Sequence, residues 1–316
     1  MSQITDTILM IRPVSFRLNE QTAVNNYFQK PLESVQDNEE INELAQDEFD
    51  RFVLTLRAVG VNVIVESDLL ELDTPDSIFP NNWVSFHQNG FVGLYPMFAE
   101  NRRRERREEL MDRLENEGFH IEGFVDYTSA EEEEIFLEGT GSLLLDRVNK
   151  RAYCALSARA HEDLVIEFCE DFEYDPVMFT ANQTFEGKRL PIYHTNVMMA
   201  LAENFAVICL DSIDEKSERK NVIRHLKETG KEIVAITEEQ MYQFAGNMLQ
   251  VQGGDGKYMV MSTAAFNCLT PDQIETMERH CKLVHSDLTV IESCGGGSAR
   301  CMMAEVFLPK QHELVS

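Results

Sequence analysis

The segment 293–303, late in the sequence, combines a glycine turn with a cysteine. Three consecutive glycines, 295–297, let the backbone turn tightly and approach a ligand, because no Cβ is in the way. Cys301 follows four residues after the last glycine, and the apolar run 302–308 predicts a buried strand behind it. A thiol at the mouth of a strand, behind such a turn, is placed as a nucleophile aimed into a cleft. From this segment alone, a buried and unreactive cysteine is the alternative.

Two other residues are candidates for acid–base chemistry. Glu138 lies in Phe-Leu-Glu-Gly-Thr-Gly-Ser, where an acid follows an apolar pair and precedes two spaced glycines and a strand. An acid in this position can lie at the rim of a cleft, and a solvent-exposed turn is the alternative. His194 lies in Tyr-His-Thr-Asn, between a β-like run and Val-Met-Met. A hydrogen-bonded core histidine is the alternative to a general acid or base there.

Polar residues in other loops complete the set of candidates. Asp76 and Asn82 belong to Asp-Ser-Ile-Phe-Pro-Asn-Asn-Trp, a turn that leads into a strand, and Asn196 follows His194 by two residues. Asparagine and aspartate suit turns without any further function. Arg102 stands at a junction of loop and helix, and Arg159 stands just after a strand. Each arginine can reach a cleft from there, although a surface charge is the alternative.

Together these segments resemble the guanidino-group-modifying, or pentein, superfamily, which includes arginine deiminase, dimethylarginine dimethylaminohydrolase and the amidinotransferases. Gly-Gly-Gly-Ser-Ala-Arg-Cys-Met resembles its nucleophile motif, Phe-Leu-Glu-Gly its acidic motif and Tyr-His-Thr-Asn its histidine motif. The turn from Asp76 resembles a substrate loop of the dimethylarginine hydrolases. The segments around Arg102 and Arg159 resemble those that bind the substrate carboxylate. The matching segments occur in the same order as in the superfamily, from Arg12 onward. Within the superfamily, the sequence most resembles the amidinotransferase-related group that includes citrulline-utilisation hydrolases.

The resemblance implies a hydrolase, without cofactor or metal, that acts on the ureido or guanidino end of an arginine-like amino acid. Cys301 would attack the central carbon, His194 would transfer protons, and Glu138 would align the substrate. Asp76, Arg102, Arg159, Asn82 and Asn196 would bind that substrate. Superfamily members that act on a guanidinium usually carry aspartate where the two asparagines stand, so we expect citrulline to be converted to ornithine, ammonia and carbon dioxide. An arginine deiminase or dimethylargininase, an amidinotransferase and an inactive metabolite-binding protein are the alternatives.

The composition limits the partners and the compartment. The 316 residues include 55 acidic and 28 basic side chains, a formal net charge of -27, which argues against nucleic acid and anionic membranes as partners. Seven cysteines occur without a CxxC pair, so neither a disulfide framework nor a zinc knuckle is indicated. No basic region followed by a long apolar run opens the sequence. We expect a cytoplasmic protein with a small amino-acid substrate. The sequence does not decide between a monomer and a homodimer.

Alternating strands and helices must position these residues. A polar loop is predicted over 19–30, and an amphipathic helix over 39–59 is followed by a β-branched strand at 61–65. The same order recurs, with helices predicted over 101–117, 159–169, 215–229 and 271–281 and a strand over 289–292. Because no linker interrupts the pattern, we expect one α/β domain, residues 1–316. The resemblance, rather than the pattern, implies a five-module α/β propeller with pseudo-fivefold symmetry and a central site.

Overall fold

Strands recur along the whole chain in the computed structural model, which describes residues 2–32 and 37–311. Within these ranges the strands are β1 (Thr7–Arg12), β2 (Asn62–Ser67), β3 (Val84–Phe86), β4 (Phe91–Leu94), β5 (Gly123–Asp126), β6 (Leu143–Asp146), β7 (Arg151–Leu156), β8 (Asp175–Thr180), β9 (Asn182–Phe185), β10 (Lys188–Pro191), β11 (Met199–Leu201), β12 (Phe205–Ile208), β13 (Glu232–Ala235), β14 (Leu249–Gly253), β15 (Gly256–Ser262), β16 (Lys282–Ser286) and β17 (Ala304–Glu305). Most are short, so each strand needs partners and helices to be stable.

Helices lie between the strands. The α-helices are α1 (Glu20–Ala23), α2 (Asn38–Ala58), α3 (Glu109–Asn116), α4 (Gly139–Ser142), α5 (Glu162–Phe172), α6 (Lys216–Glu228), α7 (Glu238–Tyr242), α8 (Thr263–Cys268), α9 (Pro271–Glu278) and α10 (Thr289–Gly295). Short 3-10 turns lie at Leu70–Leu72, Pro80–Asn82, Glu100–Glu105, Thr128–Glu133, Thr195–Val197 and Leu210–Ser212. Among the residues that the structure describes, no helix is both long and apolar enough to cross a bilayer.

Five three-stranded sheets repeat one pairing plan across the described ranges. In each sheet the first two strands are antiparallel, and the middle strand also runs parallel to the third. At least one helix separates the two parallel strands along the chain, as a parallel crossover requires. Written as first, middle and third strand, the sheets are β17-β1-β2, β3-β4-β5, β6-β7-β8, β11-β12-β13 and β14-β15-β16. This is a mixed α/β fold, to which β9 and β10 add a hairpin.

Helix α2 shows how a helix is held against its sheet. Its buried apolar residues recur at three- and four-residue spacing and therefore share one side of the helix; they are Ile41, Ala45, Phe49, Phe52, Val53 and Leu56. This face packs against apolar residues of β1 and β2, and burying each phenylalanine is worth about 1.5–3 kcal/mol. Gly60 ends the helix region with a φ of 84°, and a Cβ there would lie 2.5 Å from the Gly254 nitrogen. Glycine is therefore required where these two backbones meet.

Most predicted elements are confirmed, and three are not. The helix predicted over 101–117 is instead a 3-10 turn followed by α3, and the strand predicted over 302–308 shortens to β17. The strand predicted over 289–292 is wrong, because this segment is helix α10. The Glu48 carboxylate of α2 accepts the backbone N–H groups of Val290 and Ile291 at 2.9 and 3.0 Å. This distant side chain satisfies N–H groups at the helix start that would otherwise lack partners.

Candidate active site

Short turns lead into the first strand of each antiparallel pair, and these turns carry the candidate residues. Asn82 ends the 3-10 turn before β3, and Glu138 precedes α4, which continues into β6. His194 and Asn196 belong to the turn before β11, and Cys301 lies three residues before β17. These are equivalent positions in the repeated plan. The plan therefore brings together residues that are far apart in the sequence.

A closed cavity lies where the turns meet. Six of the predicted site residues line it: Asp76, Asn82, Arg102, Arg159, His194 and Cys301. Glu138 and Asn196 stand directly behind, hydrogen-bonded to His194 and Cys301 respectively. The free volume is about 10 Å³, which is about the space of a single water. The structure thus unites all the predicted residues around one small cavity.

The Cys301 thiol is held between two asparagine amides. Its Sγ accepts N–H groups from Asn196 Nδ2 at 3.3 Å and from Asn247 Nδ2 at 3.2 Å. Gly296 ends α10 with a φ of 62°, in the left-handed region that favours glycine. The Gly296 carbonyl accepts the Tyr193 hydroxyl at 2.5 Å. The turn and the amides together fix the thiol, and Cys301 is only 2% exposed.

His194 and Glu138 form a buried pair. His194 Nε2 donates to Glu138 Oε2 at 2.7 Å, and Glu138 Oε1 accepts the Phe98 backbone N–H at 3.0 Å. Burial raises the pKa of Glu138, but the Arg159 charge and the His194 hydrogen bond outweigh burial and hold that pKa well below its ordinary value. Burial lowers the pKa of His194 to about 4, although Glu138 acts in the opposite direction. At pH 7 Glu138 is therefore ionised and His194 neutral, with Nδ1 as its proton acceptor.

Arg102 donates most of its N–H groups to acceptors of the protein. It donates to both carboxylate oxygens of Glu105, at 2.8 and 2.9 Å, in the paired geometry typical of arginine and carboxylate. A further N–H of Arg102 binds Asn82 Oδ1 at 2.8 Å. One N–H of the Asn82 NH₂ group donates to Asn81 Oδ1, in the same turn, at 3.1 Å. A Cβ on Gly141 would lie 2.4 Å from Asn82 Nδ2 and 2.8 Å from His194 Nδ1.

Residues 19–29, the cover segment, close the cavity from outside. Asn25 Oδ1 accepts from Arg159 Nε at 3.0 Å and from a terminal nitrogen of the same guanidinium at 2.5 Å. Asn26 Nδ2 donates to the Gly295 carbonyl at 3.3 Å. The cover segment therefore binds both the predicted carboxylate-binding arginine and the glycine turn. The sequence predicted a polar loop here and gave it no role.

Two buried acceptors at the site have no hydrogen-bond partner among the described residues: Asp76 Oδ1 and Asn196 Oδ1. The other oxygen of Asp76 accepts from Asn19 Nδ2 at 2.8 Å. Burial raises the pKa of Asp76, and the Arg102 charge opposes that shift. A buried polar atom without a partner is costly. These two oxygens therefore mark positions that suit the N–H groups of a ligand.

Asn247 is the site residue that sequence reasoning missed. It lies two residues before β14, as Asn82 lies two residues before β3. Gly246 precedes it, and a Cβ there would meet the Val197 carbonyl oxygen at 2.4 Å. The available signal was a Gly-Asn pair just before a strand, in the same relation to its sheet as the other site residues. That signal becomes visible once the five sheets are aligned.

Six cysteines lie outside the cavity. Burial raises the pKa of their thiols, Cys154, Cys169, Cys209, Cys268, Cys281 and Cys294. A thiol with a raised pKa stays protonated and unreactive at neutral pH. Over residues 2–32 and 37–311, no three histidine, cysteine or carboxylate side chains converge as a metal site needs. Cys301, which lines the cavity, is the candidate nucleophile.

The chain matches one family profile and resembles several solved structures. The sequence profile of the family described as N,N dimethylarginine dimethylhydrolase, eukaryotic, matches residues 12–308. No curated protein matches the chain in sequence. ArgZ, an arginine dihydrolase from the ornithine-ammonia cycle in cyanobacteria, resembles the structure with a TM-score of 0.72 and 16% identity, over 96% of this chain and 41% of ArgZ. The chain thus spans about two-fifths of that protein.

Two liganded structures are also similar. The N-terminal domain of ArgZ bound to its substrate has a TM-score of 0.68 and 16% identity, over 96% of this chain and 99% of that domain. A dimethylarginine dimethylaminohydrolase adduct with S-methyl-L-thiocitrulline has a TM-score of 0.61 and 14% identity, over 96% of this chain and 99% of the other. These likenesses show a mixed α/β fold similar to that of pentein enzymes. Since the family profile covers most of the sequence, the chain belongs to the N,N dimethylarginine dimethylhydrolase family, within the guanidino-group-modifying, or pentein, superfamily.

Proposed function

We propose that the chain is a cysteine hydrolase that cleaves a C–N bond at the ureido end of citrulline or a close relative. One observation carries the proposal: Cys301, the His194–Glu138 pair and neutral asparagine amides meet in one buried cavity. The related structures bind or act on compounds with a similar end group. ArgZ is an arginine dihydrolase, and the dimethylarginine dimethylaminohydrolase holds an adduct with S-methyl-L-thiocitrulline.

The reaction proceeds through a covalent adduct on Cys301. Its sulfur bonds to the ureido carbon, and the bond between that carbon and the ornithine side-chain nitrogen breaks. His194 Nδ1 takes the Cys301 proton as the thiolate forms, gives that proton to the departing nitrogen, and later takes one from the attacking water. Water then releases carbamate from the sulfur, and the carbamate decomposes to ammonia and carbon dioxide. Glu138 keeps the imidazole oriented through the hydrogen bond to Nε2 and stabilises its positive charge when it is protonated.

The neutral amides support a ureido substrate. A guanidinium has only N–H donors and a positive charge, whereas a ureido group has one acceptor oxygen and no charge. Arg102 occupies the oxygen of Asn82, and Asn81 Oδ1 accepts one N–H of the Asn82 NH₂ group, so the second N–H is the donor for the ureido oxygen. Asn196 likewise directs its NH₂ to the thiol and keeps its oxygen free for a substrate N–H. A carboxylate at either position would repel the ureido oxygen.

The other end of the substrate is an amino acid in this proposal. Arg102 and Arg159 bind its carboxylate, and the free oxygen of Asp76 binds its ammonium group. Because Arg159 is held by Asn25 in this structure, substrate binding replaces that contact and moves the cover segment. The family match favours methylated arginine as a second candidate substrate. An amidinotransferase would form the same kind of adduct and pass it to an amine.

The remaining features of the proposal concern the whole chain. Residues 1–316 form one domain, in which the five sheets surround the cavity as modules of an α/β propeller. The support is that each of the five sheets has an equivalent turn at the site. The enzyme works in the cytoplasm without metal or cofactor, so its rate is unchanged by a chelator. Loss of activity in EDTA that one added metal restores would contradict that part.

The decisive experiment compares kcat/KM for citrulline, arginine and asymmetric dimethylarginine, with ammonia, ornithine, citrulline and dimethylamine as measured products. Intact-mass analysis after rapid quenching tests for an adduct on Cys301, and Cys301→Ala is the control. We expect citrulline to be the best substrate by at least about ten-fold, since buried polar groups reject the wrong hydrogen-bond pattern. Faster turnover of arginine would rule out the ureido preference and leave the cysteine mechanism in place. No turnover of any of the three would rule out the hydrolase.

A further inference from the structure

Asn247 is the residue that the sheet β14-β15-β16 contributes to the site. Its Nδ2 donates to Cys301 Sγ at 3.2 Å and to the backbone oxygen of Asn196 at 2.9 Å. Its Oδ1 accepts the backbone N–H of Arg300 at 2.9 Å. Because a donor occupies the oxygen, the amide has one orientation, with NH₂ toward the sulfur. Asn247 therefore links the cysteine turn to the histidine turn.

We infer that Asn247 holds Cys301 as a thiolate directed into the cavity, a role that rests on the proposed function of Cys301 as nucleophile. A thiol sulfur is a weak acceptor, whereas hydrogen bonds to an ionised acceptor are shorter and stronger. Two N–H donors, from Asn247 and Asn196, reach this one sulfur. They stabilise the ionised form and fix the direction in which the sulfur attacks.

The protonation state of His194 explains why the two amides matter for the thiolate. In many cysteine sites a protonated histidine raises the thiolate fraction. Here burial lowers the pKa of His194 to about 4, and its Nε2 is bound to Glu138. The imidazole is therefore neutral at pH 7 in this closed structure. The amides of Asn196 and Asn247 supply the stabilisation that an imidazolium would otherwise give.

Charged groups also surround the sulfur, and they act at longer range. The titratable groups facing it from the surrounding turns are Asp76, Arg102, Glu138, Arg159, Tyr193, His194 and Arg300. The carboxylates disfavour a thiolate and the guanidinium groups favour it. Throughout the part of the chain that the structure describes, the only groups that donate hydrogen bonds to this Sγ are the two amides. They are also the donors that fix its direction.

Alkylation of Cys301 by iodoacetamide tests the inference without any substrate. The rate is followed by peptide mass spectrometry from about pH 5 to about pH 10 in the unmodified chain and in Asn247→Asp. This variant keeps the size of the side chain, removes the N–H donors and adds a negative charge; Asn247→Leu, of similar size, removes the donors without adding charge and must show the same direction of change. We expect alkylation at pH 7 to slow about ten-fold and the midpoint of its pH profile to rise by about one unit, because a hydrogen bond to an ionised sulfur is lost.

Gln3→Glu is the matched control. Gln3 is a buried amide that donates to the Leu145 carbonyl at 2.9 Å and accepts the Arg147 backbone N–H at 2.8 Å. It therefore has the bridging pattern of Asn247 without contact to a thiol. We expect a lower melting temperature and an unchanged alkylation profile.

An unchanged profile in folded Asn247→Asp, or an equal shift in Gln3→Glu, would overturn the inference. If Asn247→Asp does not fold, Asn247→Ser carries the same test, because its shorter side chain cannot reach the sulfur. Substrate assays are separate from this result. The alkylation profile can exclude Asn247 as the thiolate-holding residue while citrulline turnover continues. Conversely, the profile can support Asn247 even when none of the tested substrates reacts.

Discussion

The two sides of the cavity differ in the charge of the side chains that form them. The thiol side, Cys301 with Asn196 and Asn247, is built from neutral amides around one sulfur. The arginine side, Arg102 and Arg159, consists of buried guanidinium groups whose partners are carboxylates, amides and carbonyls. A substrate with a charged amino-acid end and a neutral reactive end would suit this division. Binding of the amino-acid end and reaction at the ureido end would then occur in two different electrostatic environments within one small cavity.

The largest expected effect is on the thiol side. We expect Cys301→Ala to lower kcat by at least about 10⁴-fold, as loss of a covalent nucleophile does in other enzymes. The change removes one sulfur atom at a cavity surface, so the loss of stability should stay below the ~2–5 kcal/mol of emptying a core site. Steady-state kinetics and a melting curve measure the two effects. Retained turnover, or a collapse of the melting temperature with little loss of kcat in the folded fraction, would identify a structural cysteine.

On the arginine side we expect mainly weaker binding. Arg159→Ala should raise KM about ten- to a hundred-fold, since a charge-assisted contact is worth roughly 1.5–3 kcal/mol. Arg102→Ala should also destabilise the fold by about 3–5 kcal/mol, because the buried Glu105 loses its partner. Isothermal titration and chemical unfolding separate the two losses. Normal binding by both variants would place the carboxylate site elsewhere.

A second change sharpens that result for Arg102. Glu105 is buried beside it, and burial raises the pKa of Glu105 to about 7 even with the arginine present. Adding Glu105→Gln to Arg102→Ala removes the unpaired charge, so we expect much of the stability to return while KM stays high. Recovery of KM together with stability would show that Arg102 acts only through the fold.

A smaller effect is expected where the two sides meet, at Asn82. Asn82→Asp places a carboxylate between the Arg102 guanidinium and the reacting end of the substrate. We expect the ratio of kcat/KM for arginine to that for citrulline to rise by at least about ten-fold, because a carboxylate favours N–H donors and positive charge. Asn62→Asp, an exposed change on β2 that touches none of the cavity residues, is the control. An unchanged ratio in Asn82→Asp would remove this asparagine from substrate discrimination.

An effect on stability alone is expected at the helix before the glycine turn. Burial raises the pKa of Glu48, which caps α10, from 4.5 to about 7. A carboxyl group whose pKa is higher in the folded state lowers the stability as pH rises between those two values, because the folded protein retains the proton longer. Glu48→Gln should therefore flatten the decline in melting temperature between pH 5 and pH 8 and add up to about 3 kcal/mol at pH 8. The exposed Glu43→Gln on the same helix is the control, and equal curves for both variants would contradict the burial argument.

The sequence was informative where function leaves a local pattern. The glycine turn before Cys301, the acid before two glycines and the histidine after a β-like run each led to a residue of the cavity. The amphipathic spacing of 39–59 likewise predicted α2 to within one residue at each end. These features depend on neighbours within a few positions, so a linear reading detects them.

What the sequence could not reveal depends on contacts between distant residues. Segment 289–292 contains β-branched residues typical of a strand, yet Glu48 stabilises it as a helix from more than 240 positions away. Arg102 was predicted as a substrate ligand, but its pairing with Glu105 and Asn82 needs the folded turn. Asn247 became recognisable only through the equivalence of the five sheets. The cover segment has no distinctive composition, and its role follows from its position over Arg159.

The pairing of β1 with β17 has a consequence for how the chain is synthesised and folds. Ile8 in β1 pairs with Val63 in β2 and also with Glu305 in β17. Strand β17 is therefore synthesised long after its partner β1. Cys301 is synthesised just before β17. Contacts so distant in sequence form slowly. A growing chain can thus build most of its cavity while the Cys301 sulfur is still absent, and the proposed reaction can begin only once synthesis has passed β17.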